Sequence, residues 1–242
     1  MDAAPISPRI RLTAVDAGYA GRPVLREVTV DVPALGVTSL IGPNGSGKST
    51  LLAVVAGVIR PTSGTVRHEG GLPPAFVPQR SAVSDALPLT VRRTVEMARW
   101  RVRGPWRRLT KSDHAAVDEA LERLGVARLA SRQLGELSGG QRQRAFIAQG
   151  IAQRSDLLLL DEPCTGLDPE SRYGIERLLA EVAAEGVTVI QATHDLAAAR
   201  AGRHCLLLRE GRLEAAGPPS DALAAASLAA SGLTGRDAAN TV

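Results

Sequence analysis

Gly42-Pro43-Asn44-Gly45-Ser46-Gly47-Lys48-Ser49, preceded by VTSLI at 37–41 and followed by TLLAVVAGVI at 50–59, is the stretch that decides the fold. A β-branched apolar run enters a glycine-rich turn and leaves with the apolar spacing of a helix, which predicts a strand–loop–helix unit. Glycines allow the backbone to curl so that successive N–H groups, with Thr50 just behind them, point at phosphate oxygens. The helix start adds the positive end of a dipole. In such a P-loop Lys48 reaches the β- and γ-phosphates of a nucleotide and Ser49 offers its hydroxyl to Mg²⁺. The competing reading is a chance glycine-rich turn. Against it, Lys48 is one of only two lysines among 29 basic residues, and it stands where a compact ammonium fits and a planar guanidinium would not.

A second run, DLLLLDEP at 156–163, has the composition of a strand buried on both faces. Its acids fall at the carboxyl end, where open α/β sheets place ligand groups. Asp161 is expected to hold Mg²⁺, and Glu162 to orient or deprotonate an attacking water. The simpler alternative is a pair of acids that merely end a strand.

Outward from these two runs the chain divides by periodicity. IRLTAVDAGY, VLREVTVDV and GVTSLI predict short, mostly antiparallel strands over 9–40, and PTSG at 61–64 leads into a further strand pair ending at AFVPQ. From about 81 to 154 the pattern is helical and rich in charge, with Ser112 as the expected N-cap of SDHAAVDEAL. Beyond DLLLLDEP come a helix (PESRYGIERLLAEVAAEG), a second buried strand (VTVIQATH), another helix, and a hairpin turning near Glu210–Gly211. The fold class is therefore α/β, a P-loop NTPase core with a mostly parallel central sheet, an N-terminal antiparallel β subdomain and an inserted helical lobe. The expected boundaries are a single domain over 9–220, with the core at about 9–80 and 155–220, the lobe at about 81–154, and a short Ala-rich tail at 221–242.

Composition bounds the function classes. The chain has 242 residues, 44% hydrophobic and 22% charged, with only six aromatics, so its core is aliphatic. MDAAPISPRIRL lacks the continuous apolar stretch of a signal peptide, and no apolar run approaches the roughly 18 residues of a membrane span. Cys164 and Cys205 have no metal-site spacing and read as reduced thiols. The net charge of +4 is concentrated between Arg92 and Lys111, either as a solvated helix face or as a patch facing a membrane or a partner. The chain as a whole lacks interleaved aromatics, zinc-ligand spacing or a long basic tail, and no nucleic-acid partner is expected.

Leu137-Ser138-Gly139-Gly140-Gln141 resembles the signature of the ABC ATPase family, and the likeness extends over about 9–218 with the P-loop, this signature and LLLLDEP in order. The resemblance implies ATP and Mg²⁺ as cofactors. It implies that Tyr19 stacks on adenine, the alternative being a plain core or turn tyrosine. It implies that Gln79 contacts Mg²⁺ and the water, that Asp168 communicates between two nucleotide sites, and that His194 senses the γ-phosphate; a surface glutamine and a buried structural histidine are the plain alternatives. A helix start bearing Ser138 and bare backbone N–H groups is itself a phosphate site. In the family it faces the P-loop of a second copy across a head-to-tail dimer with ATP between. Cys164 departs from the residues usual beside the catalytic glutamate; nothing in the mechanism needs a thiol there, so it reads as tolerated variation that leaves sensitivity to thiol reagents open.

The overall wording of the chain is most similar to zinc and manganese importer ATPases, with iron-chelate importers near. Zinc is the first expectation for the cargo, then manganese or an iron chelate. The implied partners are integral membrane permease subunits, docked through the Gln79 region and the Trp-containing stretch up to 108, and indirectly a solute-binding protein. The implied location is the cytoplasmic face of the cell membrane. The alternatives are an exporter ATPase, which the core motifs do not separate from an importer, and a non-transport ABC ATPase.

Overall fold

The computed structural model describes residues 8–70, 72–79, 88–104 and 106–230. Its first two strands, β1 (Pro8–Tyr19) and β2 (Arg22–Pro33), are antiparallel and joined by a turn at Ala20–Gly21, both at positive φ. They are 12 residues each, longer than the short strands expected. Bulges in β1 reset its register, so that Ile10, Leu12, Val15 and Ala17 all remain buried.

Strand β3 (Gly36–Ile41) leaves this layer and enters the parallel sheet, so the antiparallel reading of 9–40 holds only for the first two strands. The P-loop follows, then helix α1 (Lys48–Val55). Strands β4 (Ser63–His68) and β5 (Ala75–Val77), expected as a pair, part company. β4 pairs antiparallel with β1, whereas β5 joins the edge of the parallel sheet. The two runs are too short to reveal which sheet each completes.

Helix α2 (Val91–Glu96), a 3-10 turn at Met97–Arg99 and α3 (Trp100–Arg103) are followed by α4 (Lys111–Arg123) and α5 (Gly139–Ala152). The N-cap of α4 is Thr110 rather than Ser112. Thr110 Oγ1 accepts from the Asp113 amide at 3.3 Å, and the Asp113 carboxylate accepts from the Thr110 amide at 2.9 Å. This is a reciprocal box that Ser112, with alanine three residues on, could not form. Residues 80–87, part of the stretch expected to face a membrane subunit, lie outside the described residues, as do 1–7 and 231–242.

The remaining elements are β6 (Leu157–Asp161), α6 (Pro169–Ala184), β7 (Thr188–Ala192), α7 (Leu196–Ala201), β8 (His204–Arg209), β9 (Arg212–Gly217) and α8 (Pro219–Ala230). The described strands form a three-stranded sheet, β2-β1-β4, and a six-stranded sheet, β5-β6-β7-β3-β8-β9, in which only β9 is antiparallel to its neighbour. All five residues of β6 and all five of β7 are buried. The leucines of β6 divide by period two. Leu158 and Leu160 pack with α5 and α6, while Leu157 and Leu159 pack with α1 and the antiparallel layer. Burying each is worth about 1.5–3 kcal/mol, so this one strand anchors both sides of the sheet. The register sets Asp161 against Ala192 and Ala192 against Leu40, which aligns the ends of β6, β7 and β3 on one edge.

Candidate functional site

That edge carries the P-loop. Gly42 needs to be glycine because a Cβ would lie 2.0 Å from the Leu208 carbonyl, and Gly47 combines φ +104° with the Leu25 side chain 2.9 Å from where its Cβ would be. The hairpin turn of β8–β9 braces the loop from behind, with the Gly211 amide donating to the Ser46 carbonyl at 3.0 Å. Lys48, buried, donates from Nζ to the carbonyls of Gly42 at 2.8 Å and Pro43 at 3.0 Å, so its ammonium is held across the mouth of the loop.

Asp161 ends β6 buried, with Oδ1 lacking a hydrogen-bond partner among the described residues. Burial pushes its carboxyl up, and Glu162 adds to this, while the neighbouring Ser49 hydroxyl and the charge of Lys48 oppose. An orphaned buried carboxylate oxygen beside a hydroxyl is a hard-oxygen donor set that fits Mg²⁺. Glu162 sits at φ +50°, its amide tied to the Ala192 carbonyl at 3.1 Å. A non-glycine residue in this region is a local strain of the kind found at functional sites. Glu162 Oε2 accepts from Gln79 Nε2 at 3.3 Å and from Thr165 Oγ1 at 3.0 Å.

A cleft of about 480 Å³ gathers Asn44, Gly45, Gly47, Lys48, Ser49, Thr50, Gln79 and Glu162. Val24, at the start of β2, also lines it and was not anticipated; a lone valine in an alternating strand carries no sequence signal of such a role. The Thr165 hydroxyl on Glu162 was likewise missed. Pro43 and Ser46 line a second opening with Asn44, Gly45, Arg209 and Glu210. A separate cavity of about 400 Å³ between α4, α5 and α6 includes no P-loop residue. It lacks the chemistry of the first.

Other anticipated residues lie outside the cleft lining. Tyr19 ends β1 and is exposed, and His194 is exposed after β7. Ser138 caps α5 in a reciprocal box with Gln141, at 3.3 and 3.2 Å. Gly139 opens the helix, and Gly140 lies so close to α6 that its Cβ would meet Ser171 Oγ at 2.6 Å. Asp168 caps α6 by accepting from the Ser171 amide at 2.9 Å, which holds its carboxyl below the usual range. The signature and Asp168 thus meet at Ser171. Cys164 is half-buried, and burial, then Glu176, pushes its thiol up to about 12. That disfavours the thiolate, and with it reaction with thiol reagents.

Among the described residues no helix is long and apolar enough to cross a membrane. The family model described as ABC transporter matches residues 25–165. The chain is 41% identical to the manganese transport system ATP-binding protein MntA of Synechocystis (73% of this chain, 71% of that one). It is 42% identical to the hemin import ATP-binding protein HmuV of Streptomyces coelicolor (84% and 76%), and 39% identical to the zinc import ATP-binding protein ZnuC of Cereibacter sphaeroides (72% and 67%). Its fold is similar to a metal-chelate type ABC transporter solved in an inward-facing conformation, at TM-score 0.80 and 29% identity over 91% of this chain and 88% of that one. A dimeric bacterial ABC transporter cassette superposes at TM-score 0.74 and 27% identity, over 87% and 98%. With more than half of its length matched by the family model and relatives near 40% identity, the chain belongs to the ABC transporter family and resembles the ATP-binding subunits of its metal-ion systems.

Proposed function

We propose that this protein hydrolyses ATP to power transport of a transition-metal ion or metal chelate through separate membrane subunits, acting at the cytoplasmic face of the membrane. The observation that carries the proposal is the convergence of Lys48, Ser49, Asp161, Glu162 and Gln79 at one sheet edge in a chain of this family.

The triphosphate lies on the amides of Gly42–Thr50, and Lys48 turns from the carbonyls of Gly42 and Pro43 to the β- and γ-phosphates. Ser49, Asp161 and Gln79 hold Mg²⁺, which supplies charge neutralisation at the phosphates when bound. Glu162, kept in place by Gln79 and Thr165, accepts a proton from the attacking water as its oxygen bonds to the γ-phosphorus. The bond from that phosphorus to ADP breaks. Tyr19 stacks on adenine and His194 senses the γ-phosphate.

The signature residues Ser138, Gly139, Gly140 and Gln141 are outside the lining of the chain's own cleft. This supports their serving the nucleotide of a second copy in a head-to-tail dimer. Asp168, joined to the signature helix through Ser171, then communicates between the two sites. A single ATPase domain spans about 9–220, with its helical lobe at about 81–154 turned to the permease subunits. A solute-binding protein is an indirect partner.

Relatives named for manganese, hemin and zinc stand at 41, 42 and 39% identity. The proposal is therefore for the class, with zinc one member of it. Deleting the gene and restoring it as wild type or as Lys48→Ala tests this reading. Cellular zinc, manganese and iron are then measured. One of the three should fall and recover only with the wild type; unchanged metals alongside lost uptake of a sugar or amino acid would reject it.

A further inference from the structure

Trp106 is 95% exposed, more than any other large apolar side chain among the described residues. Arg107, Arg108 and Lys111 follow it, all exposed, and no ion pair or hydrogen bond joins their side chains to a described residue. The cations from Arg92 to Arg103 are engaged within the fold. Arg92 pairs with Asp118 at 2.7 Å and Arg93 with Glu96 at 3.2 Å. Arg99 and Arg103 pair with Asp113 at 2.9 and 3.0 Å, and Arg101 donates to the Pro74 carbonyl at 2.8 Å. Even the other tryptophan is engaged, with the Arg93 guanidinium 5.3 Å from the Trp100 ring centroid. After Gly104, whose φ of +86° ends α3, three free cations and a bare indole stand together with no acid among Trp106–Lys111.

An indole has an apolar body and a polar N–H, and it is enriched where hydrocarbon meets water. Arginine and lysine beside it are drawn to anionic headgroups. Tryptophan and arginine also anchor protein interfaces, but around an apolar core, and between Leu72 and Tyr173 no other large apolar side chain of the described residues is exposed. Single-stranded nucleic acid would need a basic groove, and none of the four residues lines a described cavity. We propose that Trp106, Arg107, Arg108 and Lys111 form a direct contact to anionic phospholipid headgroups, with the indole at headgroup level. The contact rests on the reading of this chain as a subunit held at a membrane, and it adds a lipid surface to the protein partners.

The test uses the full chain without permease, co-sedimented with vesicles of phosphatidylcholine alone or mixed with phosphatidylglycerol. The mixed vesicles should bind it far better, and the binding should weaken with salt. Each basic side chain near such a surface is worth about fivefold, so Arg107→Ala with Arg108→Ala should lower partitioning about thirtyfold. Trp106→Ala should lower it further, and in a Trp100→Phe chain the Trp106 emission should shift to the blue on mixed vesicles. Since none of these side chains lines the ATP cleft, ATP hydrolysis without vesicles should be unchanged. That separates failure here from failure of the ATPase reading. Equal binding to both vesicle types, binding indifferent to Trp106→Ala, or tighter binding to a single-stranded oligonucleotide than to mixed vesicles would overturn the lipid contact.

Discussion

Asp113→Asn should destabilise the helical region without touching the cleft. The Asp113 carboxylate has no exposed surface and accepts from Arg99 Nε at 2.9 Å, Arg103 Nε at 3.0 Å and the Thr110 amide at 2.9 Å. Arg99 also donates to the Ala152 carbonyl at 2.9 Å, so one side chain ties the start of α4 to the segment before it and to the end of α5. Removing one member of a buried ion pair costs about 3–5 kcal/mol. The group lies shallow, beneath an Arg103 that is 36% exposed, and asparagine keeps the cap, so the low end applies, about 3 kcal/mol. At about 2–4 °C per kcal/mol for a chain of this size, Tm should fall about 6–12 °C. Burial alone would raise this carboxyl, but the Thr110 hydroxyl and amide, with Arg99 and Arg103, outweigh it and hold the group well below the usual carboxylate range. The unfolded carboxylate titrates near about 3.9. The contribution is therefore complete above about pH 5 and is lost as pH falls below about 4 toward the folded value. Calorimetry on both proteins should give a Tm gap that is constant from neutral pH to about 5 and narrows below 4. A gap under about 2 °C, or one that widens in acid, would refute the reasoning.

Further outcomes follow from other contacts. Lys48→Ala removes charge-assisted contacts worth about 1.5–3 kcal/mol each, so ATP turnover should fall at least about tenfold; a wild-type rate would remove the P-loop from the mechanism. Gly211→Ala forces a Cβ to within 1.9 Å of the Val24 carbonyl at φ +79° and loosens the brace on Ser46. A cost of about 1–3 kcal/mol should raise the ATP Kd about fivefold or more, read by titration calorimetry, and an unchanged Kd would discount the brace. Cys164 and Cys205, pushed up to about 12 and about 11, should be alkylated at pH 8 about a hundredfold or more slowly than a small free thiol. Labelling of Cys164 at the free-thiol rate would contradict its burial.

The P-loop and the two carboxylates were legible because each needs a residue type that nothing else at that place requires. Lys48 stands among glycines, and Asp161 and Glu162 close an otherwise apolar run. The central strands were legible for the complementary reason, since β6 and β7 are apolar on both faces. What could not be read was pairing between short strands. Nothing in SGTVRH says that β4 meets β1, and nothing in AFV says that β5 meets β6, because those choices are made by distant partners. The α4 cap was missed because Ser112 and Thr110 are equally good hydroxyls, and only the carboxylate of Asp113, three residues after Thr110, distinguishes them. Thr165 on Glu162 and Val24 at the cleft are matters of tertiary approach. The free cations around Trp106 resemble the engaged ones of Arg92–Arg103 in sequence, and separate from them only once each carboxylate is assigned.

Glu162→Gln tests the central claim most directly. Glutamine keeps the shape of the side chain and its contacts with Gln79 and Thr165 but cannot take the proton of water, so hydrolysis should slow about 10²–10⁴-fold. Lys48, Ser49 and Asp161 are untouched, so ATP should still bind. With the γ-phosphate retained between Lys48 of one copy and Ser138 of the other, size-exclusion chromatography should show a dimer with ATP and a monomer without it. Adding Ser138→Arg should abolish that dimer. Undiminished hydrolysis by Glu162→Gln, or a dimer indifferent to both ATP and Ser138→Arg, would contradict an ATPase whose two sites are each completed by a second copy.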